Sequence, residues 1–211
     1  SSGLRLMLML NVPATVGLVV LASPIVGLIY ERGRFTPEDT AATAAALMFY
    51  APGLIGYSAV KIASPTFYAL RDSRTPVAAS MLSVVANVVL NVALVRVLGY
   101  RGLALGTALS ALLNAGVLLW LLRGRLGGLE GGRVATTLVK IVAASAVMAA
   151  AAVGTQQWLE TTVPGTGLAM RATQVFGAIG AGVVALALAS RALRIAEFDE
   201  AVATVLRRFG R

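Results

Sequence analysis

Lys61 is a cation set in a long apolar stretch, nine residues before the predicted end of its helix at Leu70. Nine helical residues span ~13 Å, so its backbone sits at membrane depth. A cation there faces a cavity or a partner, where it could attract an anionic head such as a diphosphate. It can also snorkel, running its apolar stem along the helix and lifting the ammonium to the headgroups. The residue alone leaves both readings open. Lys140, only seven residues into a later helix, fits the snorkelling reading.

A second group is polar and neutral. Ser83, Asn87 and Asn91 recur at four-residue spacing, and Gly102, Gly106, Ser110 and Asn114 do the same on the next helix, with Thr107 beside them. Four-residue spacing places each set on one stripe. The glycines permit close backbone approach, and the amides and hydroxyls can bond across it. One reading is polar glue between two helices. The other is a cation site of amide, hydroxyl and backbone oxygens, which hard cations prefer.

The composition excludes other chemistries. The chain has no Cys and no His, which removes thiol nucleophiles, imidazole bases and the usual zinc ligands. All nine carboxylates lie outside the uncharged runs, so a buried proton relay or a carboxylate-pair hydrolase has no residues to use. No GxxxxGK[ST] loop occurs, which argues against ATP-driven work. The chain is not expected to be an enzyme.

The elements that must position these residues are membrane helices. Of 211 residues, 58% are hydrophobic and 13% charged, against about a quarter charged in soluble domains. Uncharged runs cover Met7–Tyr30, Thr40–Val60, Pro76–Val95, Gly102–Leu122, Ile141–Trp158 and Ala172–Ser190. Each approaches or exceeds the ~20 residues a helix needs to cross the bilayer, and none alternates as a barrel strand would. The sequence therefore predicts an all-α polytopic membrane protein with six transmembrane helices. Helix 1 should span about Leu4–Tyr30 with a kink at Pro24. Helix 2 should run from about Thr40 to Leu70 after a start at Thr36-Pro37-Glu38-Asp39, and bend at Pro52 and Pro65. Helices 3 and 4, Pro76–Leu98 and Gly102–Arg123, are joined by Gly99-Tyr100-Arg101 and must be antiparallel neighbours. The chain then divides into four helices over 1–123, a Gly-rich linker over 124–132, a separate transmembrane hairpin over 133–193 and an amphipathic tail over 194–211. Ile195, Phe198, Val202, Val205, Leu206 and Phe209 share one face of that tail. It is expected to lie on the cytoplasmic face of the membrane.

The net charge of +9 follows topology rather than nucleic acid. Eleven arginines fall at the start, the second and fourth loops and the end. Five, Arg32, Arg34, Arg96, Arg101 and Arg171, fall on the other side. The positive-inside bias puts both ends of the chain in the cytoplasm. The opening Ser-Ser-Gly without Met reads as a segment of a longer protein or a processed chain.

Six residues beyond Lys61 runs Phe67-Tyr68-Ala69-Leu70-Arg71-Asp72-Ser73-Arg74-Thr75-Pro76-Val77. Its aromatics can anchor a helix end at the interface, Asp72 or Thr75 can cap, and Pro76 can start a helix. With Lys61 and the earlier Ile29-Tyr30-Glu31-Arg32-Gly33-Arg34-Phe35-Thr36, it resembles the MurJ/MviN family of lipid II flippases. The resemblance implies fourteen helices in an inverted V of two lobes, of which this chain would supply helices nine to fourteen. It implies a bacterial cytoplasmic membrane location and movement of a lipid-linked peptidoglycan precursor to the outer leaflet by alternating access. It makes Lys61 a substrate-binding residue and marks Asn87, Asn91, Thr107 and the carbonyl of Leu103 as a sodium site. Asn91 is neutral where the family can carry a carboxylate. The partners implied are lipid II or a related lipid-diphosphate sugar, membrane lipids and the missing N-terminal lobe. No cofactor beyond that sodium ion is implied. The rival readings are another polysaccharide-lipid flippase or a multidrug antiporter of the same superfamily, and a non-transporting scaffold subunit.

Overall fold

Prolines and caps decide where the apolar runs start and break. The computed structural model describes residues 2–125, 131–162, 165, 167–195 and 197–198. These form eight helices: α1 (Ser2–Val20), α2 (Ala22–Tyr30), α3 (Pro37–Tyr50), α4 (Gly53–Ala69), α5 (Arg74–Leu98), α6 (Tyr100–Arg125), α7 (Gly131–Thr162) and α8 (Leu168–Ala192). Six spans are long and apolar enough to cross a membrane, with α2 continuing the first and α3 and α4 together making the second. The chain is an all-α polytopic membrane protein.

The first crossing breaks at Leu21, whose ψ of 15° leaves the helix, rather than at Pro24. The proline ring crowds the carbonyl four residues back, so the distortion falls a turn earlier. Thr36 opens α3 with a capping box: its hydroxyl accepts from the Asp39 N–H, and the Asp39 carboxylate accepts from the Thr36 N–H. Pro52 divides α3 from α4, whereas Pro65 stays inside an unbroken α4. Across the Pro52 junction, Thr15 of α1 donates to the Ala51 carbonyl at 3.5 Å. The link between α5 and α6 is shorter than the expected three residues. Gly99 alone makes it, at φ 59°, a conformation in which a side chain would be strained.

Small residues set the helix contacts. Gly53 and Gly56 of α4 lie against Ala108 and Ala111 of α6. A Cβ on Gly56 would stand 2.6 Å from the Ala111 carbonyl carbon and oxygen. Gly102 meets the Leu94 backbone of α5, and Gly106 meets the Asn91 side chain. Phe67 and Leu118, both at 0% exposure, pack beside these contacts. α5 leans on α6 and leaves Val84, Val88 and Val92 outward.

The helices on either side reach into the segment expected as a linker. α6 and α7 include Gly124, Gly131 and Gly132, so only 126–130 of the Gly-rich segment lie outside the described residues. Gly154 does not stop α7, which continues for two further turns to Thr162. The hairpin also leans on the first crossing: Met7, Met9 and Val12 of α1 share a core with Ile141 and Ala144 of α7. Ile195, just past α8, is buried in that core with Phe198 against it, and Glu197 pairs with Arg5 at 3.1 Å. These first residues of the tail dock on the protein. Val202, Val205, Leu206 and Phe209 lie outside the described residues.

Candidate headgroup face and polar seam

Helical spacing turns Lys61 away from the bundle. Gly53, Gly56, Ala59, Ala63 and Phe67 form the buried stripe of α4. Tyr57, Lys61 and Tyr68 lie on the exposed side. Tyr57, one turn before Lys61, sits with its ring centroid 6.4 Å from that of Tyr50. Lys61 has no hydrogen bond or ion pair among the described residues. An ammonium without a partner on the exposed face of an apolar helix is a poor surface for lipid tails and a suitable one for a polar cavity.

The loop after Lys61 is a fastening. Arg71 takes φ 57°, and the Asp72 N–H bonds back to the Phe67 carbonyl at 3.0 Å, closing α4 by a left-handed cap. Asp72 then caps α5, accepting from the Thr75 hydroxyl at 2.6 Å and from the Arg74 and Thr75 N–H groups. It also pairs with Arg125 at 2.7 Å, whose guanidinium stands 5.9 Å from the Phe67 ring centroid. The Thr75 hydroxyl bond, then the Thr75 N–H and the Arg125 charge, hold the Asp72 carboxyl below its ordinary value against the cost of burial. Three residues of the motif, Phe67, Asp72 and Thr75, thus tie the ends of α4, α5 and α6 together.

The polar seam forms between α5 and α6 as the spacing predicts. Asn87 Nδ2 donates to Ser110 Oγ at 3.0 Å and to Thr107 Oγ1 at 3.5 Å. Asn91 Nδ2 donates to Asn87 Oδ1 at 3.1 Å, and Thr107 Oγ1 to the Leu103 carbonyl at 2.9 Å. Ser83 donates to the Ser110 carbonyl. The groups satisfy one another, except that Asn91 Oδ1 and Asn114 Oδ1 are buried without a donor among the described residues. Lys61 makes no contact with the seam that these bonds record.

At the other end of the bundle lies a charged cluster that the sequence reading did not find. Arg171 of α8 donates to Glu31 Oε1 at 2.8 Å, and Thr40 of α3 donates to Glu31 Oε2 at 2.9 Å. The Arg171 bond, then that of Thr40, holds the Glu31 carboxyl below its ordinary value. By its place in the sequence Arg171 is only one of the arginines that mark topology. Its partner is 140 residues away, and no local signal joins them.

Comparison with known proteins gives the arrangement a family. A family model described as "Lipid II flippase MurJ" matches residues 1–173. A "Probable lipid II flippase MurJ" of Vibrio cholerae is 35% identical over 185 residues, covering 86% of this chain and 34% of its own length. One of Rickettsia prowazekii is 41% identical over 118 residues, covering 56% of this chain and 23% of its own length. A solved structure titled "Lipid II flippase MurJ, inward closed conformation" superposes with a TM-score of 0.69 at 24% identity. It covers 90% of this chain and 38% of that one, and shows the same fold. The chain spans about a third of the length of relatives such as the Vibrio protein. On the match over residues 1–173, the chain belongs to the lipid II flippase MurJ family.

Proposed function

We propose that this chain is the working part of one lobe, with the end hairpin, of a transporter that moves lipid II from the inner to the outer leaflet of a bacterial cytoplasmic membrane. The observation that carries the reading is the family match over residues 1–173. The exposed, unpaired Lys61 supports it. Its ammonium, flanked by Tyr57, offers an anionic diphosphate a charge partner where the surrounding dielectric is low and Coulomb attraction is strong. Alternating access needs two bundles around a shared site, so the Lys61 face is completed by the other lobe. Both ends of this chain lie in the cytoplasm, as the arginine bias indicates. The chain binds and carries, and no covalent step is assigned to it.

Sodium at Asn87, Asn91, Thr107 and the Leu103 carbonyl is a second element of the proposal. The unpartnered acceptor Asn91 Oδ1 supports it. The remaining groups already bond one another, so an ion would displace those bonds, and no transport step is routed through it. The seam alone accounts for close packing of α5 on α6.

The test is complementation. The longer protein containing this chain, expressed in bacteria depleted of their own lipid II flippase, should restore growth and wall synthesis. Loss of viability despite normal membrane expression would remove the flippase reading.

A further inference from the structure

An apolar slot and a polar pocket lie end to end along the same helices. The slot has a volume of about 540 Å³ and is lined by apolar side chains and glycine, among them Leu21, Ile25, Met148, Gly182 and Val183. Gly17 and Gly182 face Met148 across it, and their missing side chains keep it open. One helical turn further on, the lining becomes polar. Leu21 and Ile25 give way to Pro24, Gly27 and Glu31, Ala152 of α7 to Gln156 and Glu160, and Ile179 of α8 to Val175 and Arg171. This pocket measures about 210 Å³. An apolar slot under a polar pocket, about 5 Å apart along the helices, has the shape of an amphiphile.

The pocket's hydrogen bonding specifies the head. Gln156 is 7% exposed. Its Nε2 donates to Glu160 Oε1 at 2.9 Å, which fixes the amide and leaves Oε1 buried with no donor among the described residues. A buried acceptor left unpaired costs stability until a donor arrives. The guanidinium of Arg171 is turned to Glu31 Oε1 and to the Gly27 carbonyl. Glu160 makes no ion pair among the described residues. The pocket therefore presents a free amide oxygen and a carboxylate to a ligand that brings N–H donors and positive charge. A primary ammonium meets both needs, while a quaternary ammonium has charge and no N–H. Arg171 has five N–H groups, and those not used by Glu31 and Gly27 suit a phosphate next to that ammonium.

We propose that slot and pocket are one site for a phospholipid with a primary-amine head. One acyl chain fills the slot, the ammonium bonds Gln156 Oε1 and Glu160, and the phosphate lies toward Arg171. The site needs no transport, so it stands or falls apart from the flippase reading.

The test uses the 211-residue chain purified in detergent. Native mass spectrometry and thermal shift compare phosphatidylethanolamine, phosphatidylcholine and phosphatidylglycerol with identical chains. The ethanolamine lipid should be retained at one per chain, roughly tenfold more tightly than the choline lipid, the size of one charge-assisted hydrogen bond. Gln156→Leu and Glu160→Gln should each erase that preference. Gly182→Leu, which fills the slot, should weaken both zwitterionic lipids and keep their ratio. Equal retention of ethanolamine and choline lipids by the unmodified chain would overturn the proposal without reliance on any variant. So would a preference that survives both head-pocket variants, or displacement of the ethanolamine lipid by undecaprenyl phosphate at equal concentration.

Discussion

Replacing Gly56 with alanine should loosen the contact that turns Lys61 outward. The new Cβ would stand 2.6 Å from the Ala111 carbonyl carbon and oxygen and 2.8 Å from the Leu112 nitrogen. All three are backbone atoms, which no rotamer change can move aside. An ordinary contact begins near 3.4 Å, so α4 and α6 must separate by most of an ångström over their buried stripe. Overpacking of this kind costs about 1–3 kcal/mol. The better helix propensity of alanine returns up to about 1 kcal/mol. A net loss of roughly 1–2 kcal/mol is expected. Gly116 is the control: it lies in α6 with nothing within 4 Å of its would-be Cβ, so Gly116→Ala keeps only the propensity gain. The assay is thermal unfolding in detergent, with both variants and the parent in one buffer. Gly56→Ala should melt below the parent, and Gly116→Ala at or above it. Equal melting of the two variants would refute the claim that α4 rides on α6 by backbone contact at Gly56.

Gly106→Ala should destabilise through the Asn91 side chain, and Asn91→Ala in the same molecule should restore part of the loss, because the obstacle there is the amide oxygen; thermal unfolding of the four members of that cycle measures the coupling. Sodium should raise the melting temperature of the parent and not of Asn87→Leu/Asn91→Leu, and an equal response would leave the seam as packing alone. The folded-state depression of the Asp72 carboxyl means its fastening contributes fully above the ordinary value of 3.8 and fades as pH falls through the lower folded value. The stability gap between parent and Asp72→Asn should therefore be widest near neutral pH and close under strong acid. Since the chain has no cysteine, a thiol placed at Gly33 should react with an impermeant reagent outside intact cells and one at Ser73 should not; the reverse would invert the topology.

The parts legible from sequence are those with a local cause. Six apolar runs are long enough to span hydrocarbon whatever they pack against. Thr36 and Asp39 carry their capping box within four residues. The seam follows from four-residue spacing on two helices that a short link forces together. What stayed hidden depends on distant chain. Gly53 and Gly56 look like ordinary small residues until Ala108 and Ala111 arrive against them. Gly154 has open space around it and leaves α7 unbroken, so the helix runs past it and carries Gln156 and Glu160 to the end of the bundle. The pairing of Glu31 with Arg171, and the pocket around it, draw on four helices, α2, α3, α7 and α8, with no common pattern. The position of Lys61 on its helix was readable. That its face is exposed required the stripe opposite to be buried.

The most direct measurement is lipid II arrival at the outer leaflet, read by an externally added enzyme or toxin that cleaves exposed lipid II, in cells depleted of their own lipid II flippase and carrying the longer protein that contains this chain. The unmodified protein should expose lipid II at a steady rate, Lys61→Arg should keep much of that rate, and Lys61→Ala should lose most of it at equal membrane abundance. A normal rate with Lys61→Ala would take Lys61 out of the headgroup site. No exposure by the unmodified protein, present at full abundance, would contradict the account.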